Sequence, residues 1–380
     1  MLYSASKDPT RSIKYLGNKV YAPINNVKEF SPTDKYLSHR FDHIRTDETF
    51  IHIQNIDNAI FLATVEYFSK VVWSKWANLP LTTLMISSPG EVYAGQKLDY
   101  TTDTLPVELP NWFDSPKRMF LSESSQFYLE LALMTGGSDS VFSIYNSFRK
   151  EKSDFTHLTE FQHIEYEGKV DFLGNKKVGI ELMDFIISYV FKNNITDLQY
   201  FLNDEDLTQR NQKISENIEI MNFADALKIL YKDTGDSRYK EFSLKNFWSW
   251  EEIRLTEIVG KNVSVEKFPM LQIPFYHAIA QEEYNGVPLA QNADIILQGY
   301  REVMGSGVRI ADKATLLKKA EIFNLPQEDY MPYLTSRDDH LYEPTAGFGI
   351  GWQRLVHWLL KMPTIVDSTV FPRTHLTPNP

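Results

Sequence analysis

Apolar residues recur at helical spacing from residue 47 to about residue 77, at Ile51, Ile56, Ile60, Phe61, Ala63, Val65, Phe68, Val71, Val72 and Trp76, with polar residues between them. A period near 3.6 over that length predicts one long amphipathic helix. Further on the period shortens towards two. Residues 79–86 and 119–122 read as strands, and residues 125–134 as a helix. Val141, Ser143 and Tyr145 alternate within 140–149, and 163–167 begins a returning strand, so 150–159 is predicted to be the loop of a long antiparallel hairpin. Residues 175–246 are mostly helical by periodicity and read as a helical insertion. Beyond it, 263–269, 293–298 and 347–351 look like strands, the last feeding a helix through 358–360. Hairpins with helices set between them, and no βαβ alternation, predict an α+β fold built on an antiparallel sheet flanked by helices.

A chain of 380 residues with 43% hydrophobic content has the size and core of a globular enzyme. No repeat, low-complexity tract or Gly/Ser linker divides it, so residues 31–380 are expected to form one catalytic domain. Residues 1–30, polar with strand character near 19–22, are expected to be an extension packed on that body. No apolar run is long enough to span a membrane and the start lacks a secretory signal, which makes a cytoplasmic location the expectation. The absence of cysteine removes thiolate metal sites, disulfides and cysteine nucleophiles. A formal net charge of −11 argues against a large nucleic-acid footprint, while leaving a local basic patch open.

Three segments carry candidate chemistry. In FRKEKSDFTHLTEFQHIEYE, Arg149 and Glu151 are two apart and would share a sheet face; arginine suits bidentate phosphate or carboxylate binding, and Phe161 offers a ring for a base. Composition alone would allow this segment to be a salt-bridged surface hairpin. In GFGIGWQRLVHWLLKM, alternating glycines permit close backbone approach of a ligand, and Arg354 follows on the opening turn of a helix; the spacing differs from the dinucleotide fingerprint. In ADIILQGYREVMGSGVRI, Asp294 and Glu302 are oxygen ligands of the kind magnesium takes when it also holds phosphates.

Taken together, the three segments resemble motif 2, motif 3 and the metal-binding strand of class II aminoacyl-tRNA synthetases, in the asparaginyl and aspartyl branch. The resemblance extends over SESSQFYLELAL, NFADALKIL, FPMLQIPFYHA and TIVDSTVFPRTHLTP, from about residue 32 to residue 378. It implies that Arg149 holds the ATP α-phosphate and the substrate carboxylate, that Glu151, His157, Leu158 and Gly351 line the nucleotide site, and that Phe161 stacks on adenine. It also implies that Arg354 clamps the γ-phosphate, and that Asp294, Glu302 and Ser306 organise Mg²⁺. For the amino acid it points to Gln126 and Glu165 around the ammonium and to Glu130 and Arg309 around the side chain. The chemistry implied is electrostatic stabilisation of in-line attack by a carboxylate, giving an acyl-adenylate.

Leu129 stands where aspartyl enzymes of the family carry lysine, and Glu130 matches the glutamate of asparaginyl enzymes. Asparagine is therefore one expected substrate, and aspartate bound in the reverse sense is the other. The chain departs from the family pattern at Leu84, Thr345, Gln353 and Gly307, the last standing where the family has its metal-strand serine. Residues 1–30 are too short for an anticodon-binding barrel, so the expectation is a stand-alone paralogue that resembles the archaeal-type asparagine synthetases. Ammonia or another amine is the expected acceptor. Charging of tRNA is the first alternative, a non-catalytic ATP- and amino-acid-binding regulator the second, and a homodimer the expected assembly.

Overall fold

A computed structural model of the chain describes residues 1–22, 37–87 and 106–376. Most of the loop between 87 and 110, and part of the matched region near residues 32 and 378, lie outside the described residues. Three short strands open the chain: β1 (Tyr3–Ala5), β2 (Ile13–Tyr15) and β3 (Asn18–Tyr21). Then follow β4 (Lys75–Trp76), β5 (Thr82–Thr83), β6 (Phe120–Leu121), β7 (Ser140–Phe148), β8 (Glu160–Gly168) and β9 (Ile218–Asn222). The remainder are β10 (Asn262–Glu266), β11 (Ile279–Tyr284), β12 (Val287–Ala290), β13 (Asn292–Ile296), β14 (Glu302–Val308) and β15 (Ala346–Gly351).

An eight-stranded sheet in the order β4-β7-β8-β15-β14-β13-β10-β9 forms the body. Pairing is parallel at its two edges, β4 with β7 and β9 with β10, and antiparallel between them. The predicted α+β class holds, with parallel edges added. Strand β9, an edge strand of exposed and half-buried residues, lies inside the stretch read as helical; so short a segment carries little periodic signal. The strand expected over 79–86 shrinks to the two residues of β5.

Side chains alternate along each strand, and the two faces of the sheet are chemically different. On one face Phe142, Tyr166 and Phe348 sit opposite one another across β7, β8 and β15. Phe68 stacks on Phe142 and Tyr166, with centroids 4.4 and 5.7 Å away. The helix Phe172–Asn193 covers the same face, and its start is capped by Asp171, whose carboxylate accepts from the Gly174 amide at 2.7 Å. Its Gly179 allows the closest approach: a Cβ there would overlap the Met304 sulfur of β14 and come 3.3 Å from the Phe348 ring. The segment 175–246 is thus less a cover over the sheet than, in its first helix, the layer beneath it.

The long N-terminal helix runs Thr49–Glu66 and continues as a π-helical turn, Tyr67–Val72, ended by Trp73 at φ 60°. Its buried face is Phe50, Ile53, Ile56, Ala59, Ile60 and Ala63, whereas Ile51, Phe61, Val71 and the following Trp76, all placed on the apolar stripe by periodicity, are exposed. The opening strands are tied to the sheet body by the Tyr3 hydroxyl on His357 Nε2 (2.7 Å) and by Arg11 on Glu251 (2.9 Å). Gly179→Val is expected to destabilise the protein by about 1–3 kcal/mol through overpacking, read as a lower urea midpoint with an unchanged m-value.

Candidate active site

The opposite face of the sheet is open and polar. Glu165 of β8 faces Gly349 of β15, which faces Gly305 of β14, which faces Asp294 of β13. One step along the strands, Glu167, Gly347, Gly307 and Asn292 repeat the arrangement. In the first row two carboxylates, Glu165 and Asp294, therefore border a floor of glycine. At Gly347 a Cβ would overlap Glu167 and lie 2.5 Å from both Arg309 Nη2 and the Tyr166 carbonyl oxygen, so this position admits only glycine without displacing backbone.

Two cavities meet on this floor. The first is lined by Arg149, Glu151, His157, Leu158, Phe161, Glu302, Gly351 and Arg354, the whole nucleotide set expected from the sequence, and also by His163 and Gln353. The reason given for Arg149 and Glu151 needs correction: β7 ends at Phe148, and both residues reach the cavity from the loop beyond it rather than from alternate strand positions. Arg149 lies 5.4 Å from the centre of the Phe161 ring, and its buried Nε has no hydrogen-bond partner among the described residues. Arg354, on the helix Trp352–Leu360, donates from Nη1 to the Glu302 carbonyl (2.9 Å) and lies 3.1 Å from His157 Nε2 through Nη2. Arginine only donates, so His157 accepts at Nε2 and presents its Nδ1 proton to Asp154 at 2.8 Å. Burial, with the charges of Arg149 and Arg354, pushes His163 down to about 3, so it stays neutral between the two arginines. Gln353 accepts from the Gln162 amide at 2.8 Å, fixing the helix start against β8.

The second cavity shares Arg149, His163, Glu302 and Gly349 with the first and adds Gln126, Glu165, Asp294, Tyr276 and His277. Glu165 accepts from the Ser124 hydroxyl (2.7 Å) and the Ser125 amide (3.1 Å), and burial raises its pKa. Arg309 and Glu130 are not at the cavity surface, contrary to the expectation that they line it. Arg309 is fully buried beneath, donating to Glu167 (2.8 Å) and to Gln126 Oε1 (2.5 Å). Glu130 accepts from Tyr333 (2.6 Å) and Arg337 (2.5 Å), with Arg309 at 4.0 Å. Each charge thus has an opposite partner, as buried ions require. Leu129 is buried with Leu133 and Val141.

Glu167, Arg337, Tyr276, His163 and His277 were not picked out from the sequence. Glu167 was within reach, since the alternation that joins His163 to Glu165 extends to it; Arg337 meets Glu130 from a distant segment and left no local signal.

Asp294 and Glu302 fit a hard divalent cation that is also bound to phosphates. A point above Gly305 lies 2.8 Å from Glu302 Oε1 and 3.8 Å from Asp294 Oδ1. Burial, then the charges of Glu302 and Glu252, raises the Asp294 pKa well above the usual range, as expected for crowded carboxylates. Ser306 does not fit as a third ligand. It borders the cavity, but its register pairs it with Ala293 and Phe348 on the far face, and its hydroxyl donates to the Ala293 carbonyl at 3.0 Å. Among the described residues no group of three or more His, Cys, Asp or Glu side chains forms a metal cage.

Residues 102–375 match the family described as tRNA synthetases class II (D, K and N). Asparagine–tRNA ligase of Pyrococcus furiosus is 28% identical over 355 residues, covering 93% of this chain and 75% of that protein. The asparagine–tRNA ligase of Thermococcus kodakarensis is 31% identical over 258 residues, covering 67% of this chain and 57% of the relative. The crystal structure of asparaginyl-tRNA synthetase from Pyrococcus horikoshii complexed with asparaginyl-adenylate superposes with a TM-score of 0.75 at 24% identity, over 96% of this chain and 77% of that one. With nearly three quarters of its length matched to the family and a core sheet of the same fold, the chain belongs to the class II tRNA synthetases, ligases that form an aminoacyl-adenylate.

Proposed function

We propose that the chain activates asparagine with ATP and passes the asparaginyl group to tRNA. The observation that carries this reading is the junction of the two cavities at Arg149, with Phe161 and Arg354 on one side and Glu165 on the other. In the proposed reaction the base of ATP stacks on Phe161, and Glu151, His157, Leu158 and Gly351 enclose the nucleotide. Arg149 holds the α-phosphate against the asparagine carboxylate, and Arg354 holds the γ-phosphate. One carboxylate oxygen attacks the α-phosphorus in line, forming the acyl–phosphate bond while the α–β anhydride breaks and pyrophosphate leaves. Fixed guanidinium groups stabilise the charge that develops, without reorganisation at the moment of reaction. Asp294 and Glu302 would hold Mg²⁺, which when bound supplies positive charge to the phosphates.

Charge balance favours asparagine over aspartate. Beneath the cavity Arg309 and Arg337 are already matched by Glu167 and Glu130, so a neutral amide adds no uncompensated charge and a second carboxylate would. Glu165 would pair with the α-ammonium. Ammonia or another amine as acceptor is set aside, because the relatives that cover most of this chain are asparagine–tRNA ligases. The regulatory alternative is set aside too, since the arginines and acids of the proposed reaction line two cavities that meet at Arg149 and Glu302. Ile51, Phe61, Leu62, Trp73 and Trp76 are exposed along and after the long helix, which supports a homodimer through that side.

Three outcomes are expected. Exchange of labelled pyrophosphate into ATP should depend on asparagine rather than aspartate, and Arg354→Ala should lower it by about 10²–10³-fold; exchange with aspartate alone, or none, would refute the substrate. Glu165 has a raised pKa, so it gains its proton above the ordinary glutamate value of about 4.3. Attraction for the ammonium is then present at neutral pH and lost as pH falls through the raised value, so KM for asparagine should climb on acidification, and Glu165→Gln should flatten that dependence. Sedimentation should give twice the chain mass, reduced to one chain by Trp76→Glu.

A further inference from the structure

His277 follows the buried pair Phe275 and Tyr276, and its backbone is held at both ends. Its amide donates to the Pro274 carbonyl (3.2 Å), and its carbonyl accepts from the buried Lys319 ammonium (3.0 Å). The ring, in a residue only 8% exposed, leans over Gly307, where a Cβ would stand 2.5 Å from Nδ1. Gly307 thus makes room for the imidazole, as Gly347 makes room for Arg309.

The hydrogen-bond pattern fixes where the proton lies. Arg309 Nη1 is 3.4 Å from His277 Nε2, and a guanidinium has nothing but donors, so Nε2 accepts. Burial and the charges of Arg309 and Lys319 keep the ring neutral, which puts its one proton on Nδ1. That Nδ1 is buried and has no hydrogen-bond partner among the described residues, while the ring borders the cavity that contains Gln126 and Glu165. A histidine kept for packing alone would be expected to satisfy this donor within the protein, because buried polar groups nearly always are.

We infer that His277 is a specificity-determining residue of the amino-acid site, its Nδ1–H donating to the carbonyl oxygen of the bound side chain. The inference rests on the proposal that this cavity takes an amino acid, and it adds what the charged network beneath does not supply: an unpartnered neutral donor on a residue that lines the cavity. A site with a donor waiting for an acceptor discriminates against analogues that lack one, since binding them leaves the donor unpaired. Asparagine has the acceptor; 2,4-diaminobutyrate, of similar length with an ammonium in place of the amide, does not.

The test is calorimetric titration of the full chain with each of the twenty amino acids and with 2,4-diaminobutyrate, for the native protein, His277→Phe and His277→Asn. Phenylalanine keeps the ring and loses the donor; asparagine keeps an N–H near the Nδ1 position. Circular dichroism melting checks that both variants fold, and if His277→Phe does not, the His277→Asn titration and the ¹⁵N shift of the His277 ring on ligand addition carry the test. Asparagine binding weakened by roughly ten- to hundredfold in His277→Phe, recovered in large part by His277→Asn and accompanied by a shift of the Nδ1 signal in the native protein, supports the inference. If another amino acid with a side-chain acceptor binds in place of asparagine and shows the same pattern, the inference stands and the asparagine reading falls. Asparagine binding unchanged in His277→Phe, or an Nδ1 signal that does not move, overturns the inference and leaves the asparagine reading intact. Absence of binding by any amino acid overturns both.

Discussion

The site depends on a constraint in two adjacent strands: β14 and β15 must carry glycine on one face and apolar side chains on the other. Gly305 and Gly349 clear the floor and Gly307 and Gly347 make room for His277 and Arg309, while Met304, Phe348 and Ile350 alternate with them into the core. Alternation makes the requirements inseparable. A shift of register by one residue would push Phe348 into the cavity and glycine into the core, abolishing binding and packing together. Gly179 on the covering helix completes the layer, because a side chain there would overlap Met304 and crowd Phe348.

Charge is arranged around this floor in two tiers. At the surface the arginines of the first cavity and the acids Glu302 and Asp294 are only partly neutralised by one another, which suits polyphosphate and cation chemistry. Beneath, Arg309 is paired with Glu167, Gln126 and His277, and Arg337 with Glu130. Removing one member of the lower tier would strand a buried charge, a loss of about 3–5 kcal/mol. In the proposed reaction ligands would supply the missing charges to the upper tier, while the buried ion pairs of the lower tier shape the cavity from beneath.

Local pattern made much of this legible. Period-two alternation located the β7–β8 hairpin to within a few residues, and the glycine-rich strand followed by Arg354 was recognisable because strand, turn and helix are contiguous. Every residue expected around the nucleotide lines the first cavity. What escaped depends on pairings that no short window contains. The family resemblance implied Ser306 as a metal ligand, but β13 and β15 set its register and turn it to the opposite face. Glu130 looked like a cavity residue until Arg337 and Tyr333, some two hundred positions away, claimed it. The exposed side of the long helix shows the converse: Ile51 and Phe61 are apolar yet exposed, so burial within the fold could not be read from periodicity alone.

The most direct test of the shared floor is a crystal structure of the protein with a non-hydrolysable sulfamoyl analogue of asparaginyl-adenylate. The account predicts the adenine on Phe161, the sulfamoyl group beside Arg149, and the asparaginyl moiety above Gly305 and Gly349 with its ammonium on Glu165. An analogue bound with its aminoacyl end away from the β14–β15 floor, or one that does not bind at all, would contradict it.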